Sequence, residues 1–221
     1  MKRGTLTIMA AMAVILGGLF AASRVSTGTA QDATGTAVTA NAPVTSKLTT
    51  VDGKDAGTAT FTAGADGAIT VKVSVQNLSE GTHGIHVHAW GLCEAGGDKP
   101  FDSAGGHFNP GDVLHGGAPS TLKQTATSVA TPGATAGHAG DLGNIKVGKD
   151  GKGTLEIVTD RFTLAAGDLS LQDKNGSAIV VHAKEDDLKT DPSGKSGARI
   201  ACGVIFPSTI PARDKAGTPN P

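Results

Sequence analysis

Residues 85–89 read Ile-His-Val-His-Ala, and this alternation constrains the chain more than any other stretch. Side chains two apart on an extended strand project to one face. His86 and His88 therefore point together, with Val87 on the other side. Two converging imidazoles are costly as cations but compatible as neutral rings sharing a metal. The plainer alternative is a polar strand face open to water. The surrounding segment 81–110, GTHGIHVHAWGLCEAGGDKPFDSAGGHFNP, holds four of the seven histidines, the single Trp and one of the two cysteines.

Short alternating runs separated by Gly and Asp flank this segment. They predict strands near 44–51, 58–63, 68–76, 82–90, 142–147, 153–159, 178–183 and 198–205, with GADGA and KDGKG supplying Asp-Gly turns. Glycines number 32 and aromatics make up only 3%, which suits a loop-rich β protein better than a helical bundle. Eight short strands without helical periodicity predict an all-β fold, an eight-stranded antiparallel Greek-key barrel or sandwich. Two long loops interrupt it, one from Cys93 to Asp141 and one over 184–197. A loop as long as the first is functional or braced by a ligand. No internal repeat is visible.

The ends read differently. Lys2 and Arg3 precede an uncharged apolar run, 6–22, and then small residues, the pattern of a secretory signal. That run falls short of the roughly 20 residues a spanning helix uses. Neither Ser23 nor Ala30 makes a clean cleavage site, so 1–30 is expected to be a signal peptide or an N-terminal anchor. Residues 31–43 read as a disordered linker, 44–206 as the domain and 207–221 as a Pro-rich C-terminal tail. An exported chain would be periplasmic or extracellular. There Cys93 and Cys202 are an even pair in an oxidising compartment and are expected to form a disulfide, two buried free thiols being the alternative. Removing Lys2, Arg3 and Arg24 from the 19 basic residues leaves 16 against 20 acidic ones, a net charge of −4. No basic stripe with interleaved aromatics appears, which argues against nucleic acid as a partner.

The remaining histidines gather in the long loop and at strand ends. His107 sits in SAGGHFNP, His115 follows eight residues later, His138 precedes Asp141 by three, and His182 ends the apolar run SAIVVHA. Imidazoles with one carboxylate suit copper or zinc better than calcium or magnesium, which take oxygen shells. Together HGIHVHAWGLC, SAGGHFNP, HAGDLGN, VVHAKEDD and GARIACGVI resemble, in order, the signature segments of the copper–zinc superoxide dismutases. The position of Cys93 just after the histidine pair, with KTDPSGKSGARIACG, resembles the bacterial exported branch.

The resemblance implies copper held by His86, His88, His107 and His182, and zinc held by His107, His115, His138 and Asp141. His107 would then be an imidazolate bridge. Asp186 would join His86 to His115 through their outer nitrogens, with Asp187 beside it as the competing match. His83 would serve the framework only. Arg199 would stand beside the copper and draw superoxide into the pocket, with Lys184, Lys189 and Lys195 as candidate helpers. The implied reaction is disproportionation of superoxide to oxygen and hydrogen peroxide, with His107 taking up a proton and passing it to the reduced substrate.

One departure stands out: His115 and His138 lie twenty-three residues apart, well beyond the family's usual spacing. It reads as a surface excursion over 116–137, since loop length costs only logarithmically. Two rival readings are an exported copper-binding β-module without catalysis and a cupin-like barrel, whose metal motif HVH with Glu94 misses by one residue. Monomer and homodimer stay open, as does a membrane tether through 6–22.

Overall fold

The computed structural model describes residues 42–117 and 137–210. The expected leader, residues 31–41 of the expected linker, residues 118–136 of the excursion and the tail from 211 lie outside the described residues. Eight strands follow one another: β1 (Val44–Thr50), β2 (Asp55–Ala63), β3 (Ile69–Val75), β4 (Gly81–His88), β5 (Asp141–Val147), β6 (Gly153–Thr159), β7 (Ser177–His182) and β8 (Arg199–Phe206). All pair antiparallel in one sheet of order β5-β4-β7-β8-β1-β2-β3-β6. The edge strands β5 and β6 lie against each other, so the sheet rolls into a nearly closed barrel. Crossovers from β3 to β4 and from β6 to β7 make it a Greek key. The all-β expectation is borne out.

Hydrophobic alternation explains most of the wall. β3 (ITVKVSV) and β6 (GTLEIVT) turn Val71, Val73, Leu155 and Ile157 inward and leave Lys72, Ser74 and Thr154 in water. Burying such a side chain contributes roughly 1.5–3 kcal/mol. Strand β2 begins at Asp55, three residues ahead of the sequence expectation. Its Oδ1 accepts the N–H of Gly57, and the pairing register with β1 shifts at that point. Gly57 has φ +112°, and a Cβ there would strike the carbonyl of Ser74. A bulge with a glycine breaks the alternation on which the sequence reading relied.

β4 and β7 are different, because every residue from His83 to His88 and all of β7 is buried. Ile85, Val87, Ile179 and Val181 face the barrel core. The opposite face carries His86 and His88, paired across the ladder with Val180 and Ala178. Phe101 and Ala104 pack over Ala178, Val180 and Cys202 on that face. The loop that brings them is fastened by the Cys93–Cys202 disulfide, with Cα atoms 5.7 Å apart across 109 residues of sequence. Closing a ring of that size stabilises by about 5 kcal/mol in the chain-entropy model. β4 stops at His88 rather than Trp90, since Ala89 and Trp90 donate to Gly106 and Ala104 of this covering loop.

Candidate metal centre

β4 supplies His86 and His88 from its outward face. His182 ends β7, where a register shift after Val181 sets it opposite Arg199 of β8. His107 is brought in by the covering loop, which forms an isolated bridge between His88 and His107. The four rings converge, with one nitrogen from each inside a cluster spanning at most 4.8 Å. His107 also belongs to a second such cluster with His115, His138 and Asp141. Asp141 begins β5, which pairs with β4 and so sits directly behind the first set.

The hydrogen bonds decide which nitrogen of each ring faces inward. His86 Nε2 meets Asp186 Oδ2 at 2.8 Å, His88 Nδ1 meets the Gly105 carbonyl at 2.9 Å, and His182 Nδ1 meets the Gly197 carbonyl at 3.2 Å. His115 Nε2 meets the other oxygen of Asp186 at 2.9 Å. On the inner side, His107 Nδ1 lies 2.7 Å from Asp141 Oδ1 and 3.2 Å from His138 Nδ1, and His115 Nδ1 lies 3.0 Å from Asp141 Oδ2. Three buried ring nitrogens, His86 Nδ1, His107 Nε2 and His115 Nδ1, have no hydrogen-bond partner among the described residues. The His115–Asp141 approach is close but lacks hydrogen-bond direction. Leaving such atoms bare costs roughly 1–3 kcal/mol each. Two cations, one per cluster and sharing His107, would satisfy all three, and four nitrogens or three nitrogens with one carboxylate oxygen suit copper and zinc. The donor set fits the metals.

Charge follows the same logic. Burial, reinforced by the neighbouring rings, pushes His86 and His88 well below their ordinary range. Burial likewise lowers His107 and takes His182 to about 4. These rings are neutral near pH 7, with lone pairs free for a cation. Burial would raise the Asp141 carboxyl, but the hydrogen bond with His107 and the close His115 ring outweigh it and hold the group far below the usual carboxylate range. Burial pulls His115 down, and its contacts with Asp141 and Asp186 lift it to about 9.

It is Asp186 that spans His86 and His115. Asp187 instead caps the next turn, accepting from Lys189 and Thr190 and pairing with Lys195 at 3.6 Å. Gly194, at φ +62°, leaves the space that Asp186 occupies, and a Cβ there would strike its carboxylate. His83 spends both ring nitrogens on carbonyls, those of His182 and Ser79. Arg199 lines a cavity of about 490 Å³ with His88, His107 and His182, and donates to the carbonyls of Phe101 and Gly105. Among the described residues of that wall Arg199 is the one cation, while Asp112 and Asp191 are anions; Lys184, Lys189 and Lys195 do not line it.

Three residues that the sequence reading did not single out belong to the site. Asn144 exchanges two hydrogen bonds with the Asp186 backbone. It stands in HAGDLGN, so the motif itself was the available signal. Arg161 donates to the carbonyls of Gly117, Gly137 and Asp141, clasping both stems of the excursion. Carbonyl acceptors leave no trace in side-chain chemistry. Asp191 accepts from the His115 N–H.

The family model for copper/zinc superoxide dismutase matches residues 55–205. The copper–zinc superoxide dismutase of Deinococcus radiodurans is 39% identical over 158 residues, covering 69% of this chain and 78% of that protein. Its counterpart from Caulobacter vibrioides is 40% identical over 156 residues, covering 70% and 80%. Among solved structures, a SOD-like protein from Bacillus subtilis superposes with TM-score 0.58 at 32% identity, over 73% of this chain and 97% of that one. The Cu/Zn superoxide dismutase of Brucella abortus gives 0.56 at 29%, over 74% and 99%.

Proposed function

We propose a division of labour for this site from one premise: the chain belongs to the copper/zinc superoxide dismutase family. Its reaction is the disproportionation of superoxide, in which two superoxide anions and two protons become one oxygen and one hydrogen peroxide. His86, His88, His107 and His182 hold copper; His107, His115, His138 and Asp141 hold zinc. Copper bound there supplies a one-electron couple, and zinc, which has no redox chemistry, polarises the shared ring. The observation that carries this assignment is the set of three buried, unpartnered ring nitrogens whose opposite nitrogens are already committed.

The chain's own groups do the rest. Arg199 binds and orients the anion. Two of its N–H groups are tied to carbonyls, which sets the guanidinium plane and leaves the remaining donors to the cavity it lines. His107 Nε2, buried and without a hydrogen-bond partner among the described residues, takes a proton and releases it to the product. Asp186 keeps His86 and His115 in the tautomers that aim Nδ1 inward. The covering loop under the disulfide backs His88 with the Gly105 carbonyl and stacks His107 on His86.

The chain is exported, to the periplasm or the extracellular space, with 6–22 serving as a cleaved signal or a membrane tether. The apolar run after Lys2 and Arg3 supports this, and the disulfide suits an oxidising compartment. It works as a monomer or a homodimer. The test is metal content per chain on protein isolated from its native compartment, together with superoxide turnover. One copper and one zinc with rapid turnover is the expected result; copper-loaded protein that does not consume superoxide overturns the reading.

A further inference from the structure

We infer that Asp191 is a positioning residue for the zinc-side rings, holding His138 and His115 together across the long excursion. This rests on the reading of His107, His115, His138 and Asp141 as the zinc set. A metal-bound histidine nearly always has its outer nitrogen against a carboxylate, a carbonyl or water. His86 and His115 use Asp186, His88 uses the Gly105 carbonyl and His182 the Gly197 carbonyl. His107 turns both nitrogens inward. That leaves His138, whose Nδ1 faces Asp141 and whose Nε2 faces Asp191 Oδ1 across 3.7 Å, within ion-pair range. The same Oδ1 accepts the backbone N–H of His115 at 2.8 Å.

One oxygen of the β7–β8 loop thus meets the last zinc-side ligand before the excursion and the first after it. The need for such a link follows from the chain itself. His115 and His138 are separated by twenty-three residues, so two ligands of one set lie far apart along the chain. Arg161 on the stems and Asp191 on the ligands tie them together from outside the excursion. Asp186 has the matching role earlier in the same loop, so the β7–β8 loop supplies a carboxylate to each outer ring nitrogen that lacks a backbone acceptor.

The test uses full-length protein loaded with zinc. Zinc affinity is measured by competition with a chromophoric chelator, and cobalt(II) in the same site gives a d–d spectrum that reports ligand geometry. Asp191→Ala is expected to weaken zinc about 10–100-fold and to shift the cobalt bands, with copper affinity and the melting point of the metal-free protein held near the parent values. Asp191→Asn keeps an acceptor for His115 but loses the charge facing His138, and is expected to fall between; it carries the same readings if the alanine variant does not fold. Asp141→Ala is the control. If it loses zinc while Asp191→Ala does not, the inference about Asp191 fails alone. If neither loses zinc, the zinc-side reading fails with it. Equal losses of copper and zinc in Asp191→Ala would reduce its role to general loop folding and overturn the inference.

Discussion

Asn144 and Asp186 grip each other through two hydrogen bonds: the Asn144 amide donates to the Asp186 carbonyl at 3.0 Å, and its oxygen accepts the Asp186 N–H at 2.8 Å. The backbone of Asp186 is thereby held while its two carboxylate oxygens reach separate rings, His86 on one side and His115 on the other. A single side chain couples the two clusters, and its own support comes from β5, the strand that also begins with Asp141.

Asp186→Asn is expected to weaken both metals, zinc the more, by about 10–100-fold. An amide can accept from one ring but cannot serve both. Asn144→Ala, which leaves the carboxylate chemistry intact, is expected to produce a smaller loss of the same kind. Chelator competition with each metal checks both, and equal affinities across the three proteins would show that Asp186 is incidental.

His182→Ala removes the ring at the end of β7 that backs onto the Gly197 carbonyl. Superoxide turnover is expected to disappear while zinc content stays near one per chain, because His182 belongs to the copper-side cluster and not to the zinc-side one. Elemental analysis beside a turnover assay reads this directly. Full activity would mean that the fourth copper ligand is another group.

Arg199→Glu is expected to slow turnover steeply, by roughly tenfold or more at low ionic strength, and to flatten its dependence on added salt. The cavity wall carries Asp112 and Asp191 against that single cation among the described residues. Asp112→Asn should therefore act in the opposite direction and raise the rate at low salt. Pulse radiolysis across a salt series measures both slopes, and the steering account fails if neither variant changes them.

The metal-free protein should lose stability in acid well above the carboxylate range. His182 is held at about 4 in the folded chain, against about 6.5 when unfolded. Its contribution is present above 6.5 and lost as pH falls through 4, on the order of 3 kcal/mol for this one ring. His86, His88 and His107 shift the same way. His115, raised to about 9, has the reverse sign: its contribution is present below 6.5 and lost as pH climbs through 9. Urea midpoints of the metal-free protein from pH 4 to 9 are expected to be highest between those limits and to fall toward both.

The sequence by itself determined the strand class and one face of the site. Strand alternation is a property of the local backbone, so His-Val-His in an extended run places His86 and His88 together whatever lies across the ladder. The apolar periods of β3 and β6 followed from the same rule, and the motif order was enough to indicate the family. Only the tertiary structure decided which nitrogen of each ring turns inward, since that depends on acceptors such as Gly105 and Gly197 from other loops. It also decided that Asp186 rather than Asp187 spans the clusters, that a register shift sets His182 against Arg199, and that Arg161 and Asp191 clasp an excursion with no periodicity of its own. Those choices are contacts between segments as much as a hundred residues apart, made largely to backbone carbonyls and N–H groups, and a backbone group looks the same at every position of a sequence.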